Sequence, residues 1–303
     1  MQALSEAPED ELLKLWEGLG YYNRVRNMQK AARVIVSEYS GDFPADYEKL
    51  LSLPGLGHYT AGAVSSIAFG IPMPAVDGNV LRVLSRVTAS YEDVLKQSVK
   101  TAMEAEVKKI IPADRAGDFN QALIEIGAIV CVPNGKAKCE ICPLAFLCEA
   151  YKKGIVDELP KKKVKKERRI EDRTILILKE GDRVGIRKRP SKGLLAGLYE
   201  LPGLEGHLSE EEVLAQVKAW GYAPLRILPL TGAKHIFSHV EWHMTGYAIR
   251  VEELEHTENS GFLFCRTGKN RERISHTGGI CCLYRISEYP AGSKKRRIGE
   301  RIT

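Results

Sequence analysis

The chain has 303 residues, of which 44% are hydrophobic and 28% charged, the composition of a globular protein that can bury a core. This length accommodates about two domains of roughly 150 residues each. No apolar run of about 18–20 residues is present, which excludes an ordinary transmembrane helix and favours a reducing cytosol in which disulfides are rare. The net charge of +6 indicates an anionic partner only weakly, because much of the basic charge lies in two linker-like or tail-like runs, 161–169 and 294–301.

Residues 9–150 predict a mainly helical first domain. The stretch 8–20 begins with Pro8 in a first-turn position, continues with acidic residues and stops at glycines, as helices commonly do. The last helical stretch places apolar residues on one face and leads into Cys131. Further stretches with helical periodicity are 27–39, 58–69, 79–89, 97–111 and 118–131.

The segment LPGLGHYTAG (53–62) places a Pro-Gly-x-Gly turn between two helical stretches. Glycines allow backbone conformations closed to other residues, and successive N–H groups at a helix start can hold a phosphate without reading a base. A helix–helix turn that binds nothing is the alternative interpretation. The candidate DNA-contacting residues of this turn are Leu53, Pro54, Gly55, Gly57, His58 and Thr60.

Asp77 lies in the segment AVDGNVLRV (75–83), just before a predicted helix that starts near Asn79. An aspartate in this position is commonly an N-cap residue. The positive end of the helix would also keep the carboxylate ionised, as a group that faces a developing cation requires. The capping role and a catalytic role are therefore compatible.

Four cysteines, Cys131, Cys139, Cys142 and Cys148, lie within eighteen residues. A structural zinc site usually divides its thiolates between two separated pairs. Four thiolates on one short run, with Cys142-Pro143 at its centre, are better suited to wrapping a [4Fe–4S] cluster. We expect an iron–sulfur centre, with zinc and unliganded thiols as the alternatives.

The pattern changes after a charged linker at about 152–171. One amphipathic helix, 209–220, and several strand-like runs predict a smaller α+β domain over 172–264. From Cys265 the chain has no sustained period, so we expect an aberrant or disordered tail over 265–303. The strand-like runs are 174–178, 183–187, 226–230 and 243–251.

With these motifs, residues 9–150 resemble the helix-hairpin-helix, iron–sulfur DNA glycosylases, and particularly the adenine DNA glycosylases of the MutY family. The run GLGYYNRVRN (18–27) is similar to that family's own signature. The resemblance implies a multidomain α and α+β fold, with a helix-hairpin-helix glycosylase domain carrying a cluster loop over 1–151 and a Nudix-like domain after the linker. It implies a monomeric bacterial cytoplasmic enzyme, associated with the nucleoid, that acts on double-stranded DNA containing A:8-oxoguanine or A:G mispairs. The adenine must be flipped out, since a stacked base cannot be attacked.

The resemblance also assigns roles to single residues. Asp77 matches the carboxylate that stabilises an oxocarbenium-like sugar, and Asn79 matches its hydrogen-bonding neighbour. Tyr59 lies where related bifunctional enzymes carry a lysine that forms a Schiff base. A phenol cannot form that imine, so a monofunctional hydrolase is expected. Tyr21 matches an aromatic residue that intercalates beside the lesion, although a tyrosine at a helix end is also an ordinary core residue.

In the second domain, HIFSH (235–239) resembles the loop that contacts 8-oxoguanine, which implies contacts by Phe237, Ser238 and His239. A polar strand edge is the alternative. The run GLYELPGLE (197–205) lacks the clustered glutamates that hold magnesium in Nudix hydrolases, so we expect no pyrophosphate hydrolysis. The four-cysteine loop has one more residue between Cys131 and Cys139 than the family pattern, an insertion that a loop can absorb.

The chain also departs from the family at both ends. The stretch that supplies the general-acid glutamate in the family has no counterpart here, so we expect an N-terminal truncation or a misplaced start codon. The irregular sequence after Cys265 favours a frameshift. Two other functions follow as alternatives: a DNA-binding remnant without catalytic activity, and an endonuclease III-like lyase, which Tyr59 disfavours.

Overall fold

The computed structural model describes residues 1–162, 167–252 and 261–266. The chain divides into two compact units, the first formed by Met1–Glu6 and Arg26–Lys165 and the second by Ala7–Val25 and Lys166–Thr303. The first unit is helical and the second contains a β-sheet, so the predicted combination of a helical and an α+β fold is confirmed. Within the described ranges no helix is both long and apolar enough to cross a membrane.

Helices form the first unit, and the predicted stretches locate most of them. A π-helical turn, Ile126–Val130, extends α8 towards Cys131. The six-residue helix α4 is the partner of α5 in the hairpin and has too few turns to show periodicity of its own. The helices of this part of the chain are α1 (Gln2–Glu6), α2 (Glu9–Leu15), α3 (Asn23–Glu38), α4 (Tyr47–Ser52), α5 (His58–Phe69), α6 (Gly78–Val87), α7 (Gln97–Ile110), α8 (Ala116–Glu125) and α9 (Glu149–Lys152).

Two apolar clusters join the helices α3 to α8. In one, Val80 and Val83 of α6 pack with Val107 of α7 and Leu123 of α8. The other joins α3, α4 and α5 around the fully buried Leu50. Burial of each large aliphatic side chain stabilises the fold by about 1.5–3 kcal/mol. The hairpin and α6 are thus fixed by separate parts of the core.

Helix α2 and its flanking residues pack with the second unit, whereas the predicted first domain spans 1–151 without a break. The ion pair between Lys188 Nζ and Asp10 Oδ1, at 2.8 Å, is one of the contacts that place this segment there. Tyr22 is buried although it lies in the irregular stretch between α2 and α3. Local periodicity does not report which surface a helix packs against, so this packing is visible only in the structure.

The second unit is built on a twisted mixed sheet. Its strands follow the order β3-β2-β1-β6-β5, with β4 pairing to β1 and β7 to β2. The pairing of β1 with β6 is parallel, and the other strand pairs are antiparallel. The strands are β1 (Arg169–Glu180), β2 (Arg183–Lys188), β3 (Tyr199–Glu200), β4 (Gly203–Glu205), β5 (Pro224–Ile236), β6 (Val240–Val251) and β7 (Leu263–Arg266).

Successive residues of β1 point to opposite faces of the sheet, as the strand period of two requires. Leu176 and Leu178 face helix α10 (Glu210–Ala219), which begins with a capping box formed by Ser209 and Glu212. Ile177 contributes instead to the core on the other face. Both faces are covered, which explains why β1 reads as a continuous apolar run.

The predicted strands are present but longer than their apolar cores indicate. β5 extends over thirteen residues with much of its surface exposed, so its pairing to β6 rather than its hydrophobicity determines its length. β7 includes Cys265 and Arg266, so the predicted boundary at 264 falls inside this strand. The rest of the predicted aberrant tail, 267–303, lies outside the described residues.

The hairpin depends on close backbone approaches that glycine permits. A Cβ atom at Gly62 of α5 would lie 1.9 Å from the carbonyl oxygen of Pro74, in the segment that leads to Asp77. Gly55 has a φ of +82°, and a Cβ atom there would lie 2.5 Å from Asn27 Cβ. A side chain at either position would therefore displace a neighbouring element.

We expect Gly62→Ala to lower the free energy of unfolding by about 1–3 kcal/mol, because the added methyl group overpacks the contact with the Pro74 carbonyl group. Urea denaturation monitored by far-ultraviolet circular dichroism measures the change. Gly78→Ala is the matched control, since a Cβ atom there meets no atom within 4 Å. Equal destabilisation by both substitutions would contradict the close approach.

Candidate functional site

Asp77 caps the N-terminus of α6. Its Oδ1 accepts hydrogen bonds from the backbone N–H groups of Asn79, at 2.8 Å, and Val80, at 2.9 Å. Its Oδ2 accepts a third hydrogen bond, at 3.0 Å, from Asn79 Nδ2. The carboxylate is thus oriented by three donors and lies at the N-terminus of α6. Asp77 is half-buried and remains partly open to solvent.

A buried arginine connects this carboxylate to the cysteine loop. Arg82 Nη2 donates to Asn79 Oδ1 at 2.9 Å and to the Gly127 carbonyl oxygen at 2.6 Å. Its Nε donates to the Cys131 carbonyl oxygen at 2.8 Å. Burial lowers the pKa of Arg82, yet a guanidinium group in a protein stays charged. One side chain therefore orients Asn79 and holds the first cysteine of the loop.

The segment before Asp77 is held by a buried amide. Asn120 of α8 accepts a hydrogen bond from the Ala75 backbone N–H group at 3.0 Å. Its Nδ2 donates to Ser66 Oγ at 2.8 Å and to the Met73 carbonyl oxygen at 2.9 Å. The side chain is almost completely buried, so these bonds form away from competing water. Asn120 thereby links α5, α8 and the approach to Asp77.

Tyr59 lies close to Asp77 on the first turn of α5. Burial raises the pKa of the Tyr59 phenol, and the charge of Asp77 raises this pKa further. The hydroxyl group is therefore protonated at neutral pH, and 40% of the side chain is exposed. The structure thus places Tyr59 within the electrostatic reach of Asp77, which Asn79 in turn binds.

The hairpin residues divide into a buried and an exposed group. Leu53 is buried in the α3–α5 core, so its side chain is not available to a ligand. The remaining candidates in this turn are half-buried or exposed: Pro54, Gly55, Gly57, His58 and Thr60. The first turn of α5, which begins at His58, has free N–H groups at an exposed helix start.

All four predicted ligand cysteines line a single cavity. Arg86, one helical turn after Arg82, donates from Nη1 to Cys131 Sγ at 3.1 Å and from Nε to the Leu159 carbonyl oxygen at 2.9 Å. Burial raises the pKa of Cys139, and the proximity of the other three thiols raises it further. In the described ranges, no three histidine, cysteine, aspartate or glutamate side chains are already arranged as metal ligands.

The predicted lesion-contacting residues belong to the second unit. Tyr21 has a φ of +47° and an exposed side chain. Phe237, Ser238 and His239 form the turn between β5 and β6, with the latter two exposed. The ring of Phe237 packs edge-on against Trp242, at a centroid separation of 4.9 Å. Phe237 therefore anchors the turn by its contact with Trp242, while Ser238 and His239 lie at the exposed tip of the turn.

Sequence reasoning missed the residues that orient the site. Arg82 and Arg86 are both almost fully buried, although they read as the polar face of α6. The sequence did contain one indication of their role: the two arginines are four residues apart and so lie on the same face of a mostly apolar helix. Asn120 carried no comparable signal, because its partners lie on other elements.

The chain was compared with known proteins. Residues 1–112 match the family described as HhH-GPD superfamily base excision DNA repair protein, and residues 173–269 match the NUDIX domain family. An adenine DNA glycosylase of Mus musculus is 33% identical over 304 residues, covering 84% of this chain and 59% of the relative. That of Buchnera aphidicola subsp. Schizaphis graminum is 30% identical over 260 residues, covering 86% of this chain and 74% of the relative.

Solved structures are similar to part of this chain. A structure of a non-covalent endonuclease III–DNA complex aligns to 51% of this chain and 70% of its own, at 33% identity and a TM-score of 0.44. The chain spans 56–59% of the length of the human, rat and mouse relatives.

We expect Arg82→Met to lower the free energy of unfolding by about 3 kcal/mol, because it removes the buried hydrogen bonds to Gly127, Cys131 and Asn79 and leaves their oxygens unpaired. Urea denaturation measures the difference. Arg115→Met is the control, since the Arg115–Asp118 ion pair is exposed and surface pairs contribute about 0–1 kcal/mol. A loss at Arg82 no larger than that at Arg115 would show that the buried network is not stabilising.

Proposed function

Because this chain belongs to the adenine DNA glycosylase family, we propose that it removes adenine from double-stranded DNA by hydrolysis of the N-glycosidic bond. The proposed substrates are duplexes with an A:8-oxoguanine or A:G mispair, from which the adenine is flipped out before reaction. The observation that supports this function best is the half-exposed, triply hydrogen-bonded carboxylate of Asp77 beside the hairpin.

Asp77 is the residue we assign to the sugar cation. As the glycosidic bond breaks, positive charge develops on the deoxyribose, and an ionised carboxylate nearby lowers the energy of that state. The hydrogen bonds from Asn79 and Val80 hold the oxygens in place, so little reorganisation is needed during the reaction. Asn79 in turn is held by Arg82, which restricts the amide to one orientation.

Tyr59 favours hydrolysis over lyase chemistry. A Schiff base requires an amine, and the phenol of Tyr59 has none. Since its pKa is raised by burial and by Asp77, the hydroxyl group keeps its proton and can donate a hydrogen bond to the reacting sugar or to Asp77. We therefore propose a monofunctional glycosylase.

The hairpin is the proposed phosphate contact. Gly55 and Gly57 leave the backbone accessible, and the N–H groups at the start of α5 face solvent next to His58 and Thr60. Such a contact holds DNA without reading its sequence. In the second unit, we assign lesion contacts to Ser238 and His239 at the exposed turn, with Phe237 as their support, and intercalation to Tyr21.

The cysteine cavity fits a [4Fe–4S] cluster in donor number and chemistry. Cys131, Cys139, Cys142 and Cys148 provide four sulfur donors on the wall of one cavity, and Arg86 already donates a hydrogen bond to one of these sulfurs. When bound, the cluster would supply structural cross-linking of this loop rather than chemistry at the base. The residues themselves position the loop through Arg82 and Arg86, which bind the Cys131 carbonyl oxygen and thiol.

A second candidate function is DNA binding without efficient excision. In the described part of the chain, no glutamate is hydrogen-bonded to Asp77, Asn79 or Tyr59. A positioned general acid typically contributes about 10²–10⁴ in rate. Excision without such an acid would be slower by this factor, and slow excision is the outcome that the second candidate predicts.

We expect Asp77→Asn to reduce single-turnover excision of adenine from an A:8-oxoguanine duplex by about 10²–10³-fold, because the cation loses its counter-charge. Gel-shift binding to the same duplex should persist. Asp114→Asn, an exposed aspartate that follows α7, is the control for the loss of one negative charge. Binding without excision by the unchanged chain would support the second candidate, and a borohydride-trappable imine would favour a lyase.

Metal content tests the cluster independently of activity. We expect Cys142→Ser to lower the iron and acid-labile sulfide per chain, because a hydroxyl group is a poor ligand for this cluster. Cys265→Ser, which alters a cysteine of the second unit, should leave both unchanged. Zinc in place of iron in the purified chain would contradict the assignment.

A further inference from the structure

The two helices of the hairpin are joined at their starts by a side-chain hydrogen bond. Tyr47 is the first residue of α4 and His58 the first residue of α5. The Tyr47 hydroxyl oxygen lies 2.9 Å from His58 Nδ1, with the ring centroids 6.5 Å apart. The pair therefore connects the beginning of one helix to the beginning of the next, across the turn that contains the glycines.

The hydrogen bond of this pair favours one tautomer of the neutral His58 ring. Burial and the nearby Glu104 and Glu48 raise the pKa of Tyr47, so its hydroxyl group keeps a proton that it can donate. When a neutral imidazole accepts that proton at Nδ1, its own hydrogen is on Nε2. His58 is exposed, and in the described part of the chain its Nε2 has no hydrogen-bond partner.

We propose that Tyr47 is a positioning residue, which holds the His58 ring and its Nε2–H tautomer ready to donate to a DNA phosphate at the hairpin. This inference rests on the proposed DNA-binding function of residues 53–62. The ring is ordered before DNA arrives, so binding loses less side-chain entropy than a mobile surface histidine would.

The tautomer is tested without DNA. Histidine-selective ¹⁵N labelling and long-range proton–nitrogen correlation spectra report which ring nitrogen is protonated, with His58→Ala to assign the signal. We expect His58 to show a protonated Nε2 and a hydrogen-bonded Nδ1, and Tyr47→Phe to shift the Nδ1 resonance towards that of a free imidazole. An unchanged Nδ1 resonance in Tyr47→Phe would overturn the inference.

The consequence for DNA is tested by a double-mutant cycle. We expect Tyr47→Phe to weaken gel-shift binding by about 3–10-fold, the size of one lost hydrogen bond. The factor should be equal for a mispaired and a normal duplex, because a phosphate contact carries no sequence information. In the His58→Ala background, Tyr47→Phe should have no further effect.

The control is Tyr91→Phe, which removes a different exposed hydrogen bond, from the Tyr91 hydroxyl group to Glu158 Oε2 at 2.9 Å, and should leave binding unchanged. If Tyr47→Phe and Tyr91→Phe unfold at the same midpoint as the unchanged chain, a loss of binding in Tyr47→Phe does not result from a loss of stability. Equal affinity of the unchanged chain and Tyr47→Phe would overturn this inference alone. A chain that binds no duplex at all would overturn the proposed function and this inference with it.

Discussion

The first unit depends on two charged side chains buried in one helix. Arg82 and Arg86 lie a single turn apart on α6, where an uncompensated cation would be costly, and each is surrounded by carbonyl oxygens from distant segments. Arg82 binds the loop after α8, and Arg86 binds the segment that closes the cysteine region. Because α6 begins with Asp77, the same helix that organises these loops also presents the carboxylate.

This arrangement makes the Asp77 carboxylate the end of a continuous series of contacts. Asp77 is held by Asn79, which is held by Arg82, which binds the backbone of the first cysteine. Asn120 restrains the chain on the other side of Asp77. The proposed stabilisation of a sugar cation would benefit from such fixed geometry, because the dipoles would not have to reorient during the reaction. In this proposal, the cysteine loop contributes through Arg82, which fixes the position of Asn79 and so of Asp77.

Motifs with a local physical meaning were predictable. The hairpin, the N-capping aspartate and the grouping of four cysteines each depend on neighbouring residues, and the structure places each in its expected element. The burial of Arg82 and Arg86 and the packing of α2 with the second unit were not predictable. Each depends on partners tens of residues away in the sequence, which a helical or strand period does not encode. The same reason explains why Leu53, chosen from its motif, turned out to be a core residue.

The parallel alignment of β1 with β6 has a consequence for synthesis on the ribosome. Arg169 is registered with Val240, and the register continues to Lys179 and Arg250. The parallel neighbour of the central strand therefore does not exist until some seventy further residues have been made, although its antiparallel neighbours β2 and β4 exist earlier. The apolar run Ile175–Leu178 gains its full cover only once α10 and β6 have both been made. The long sequence separation of β1 and β6 therefore favours late formation of the core of the second unit.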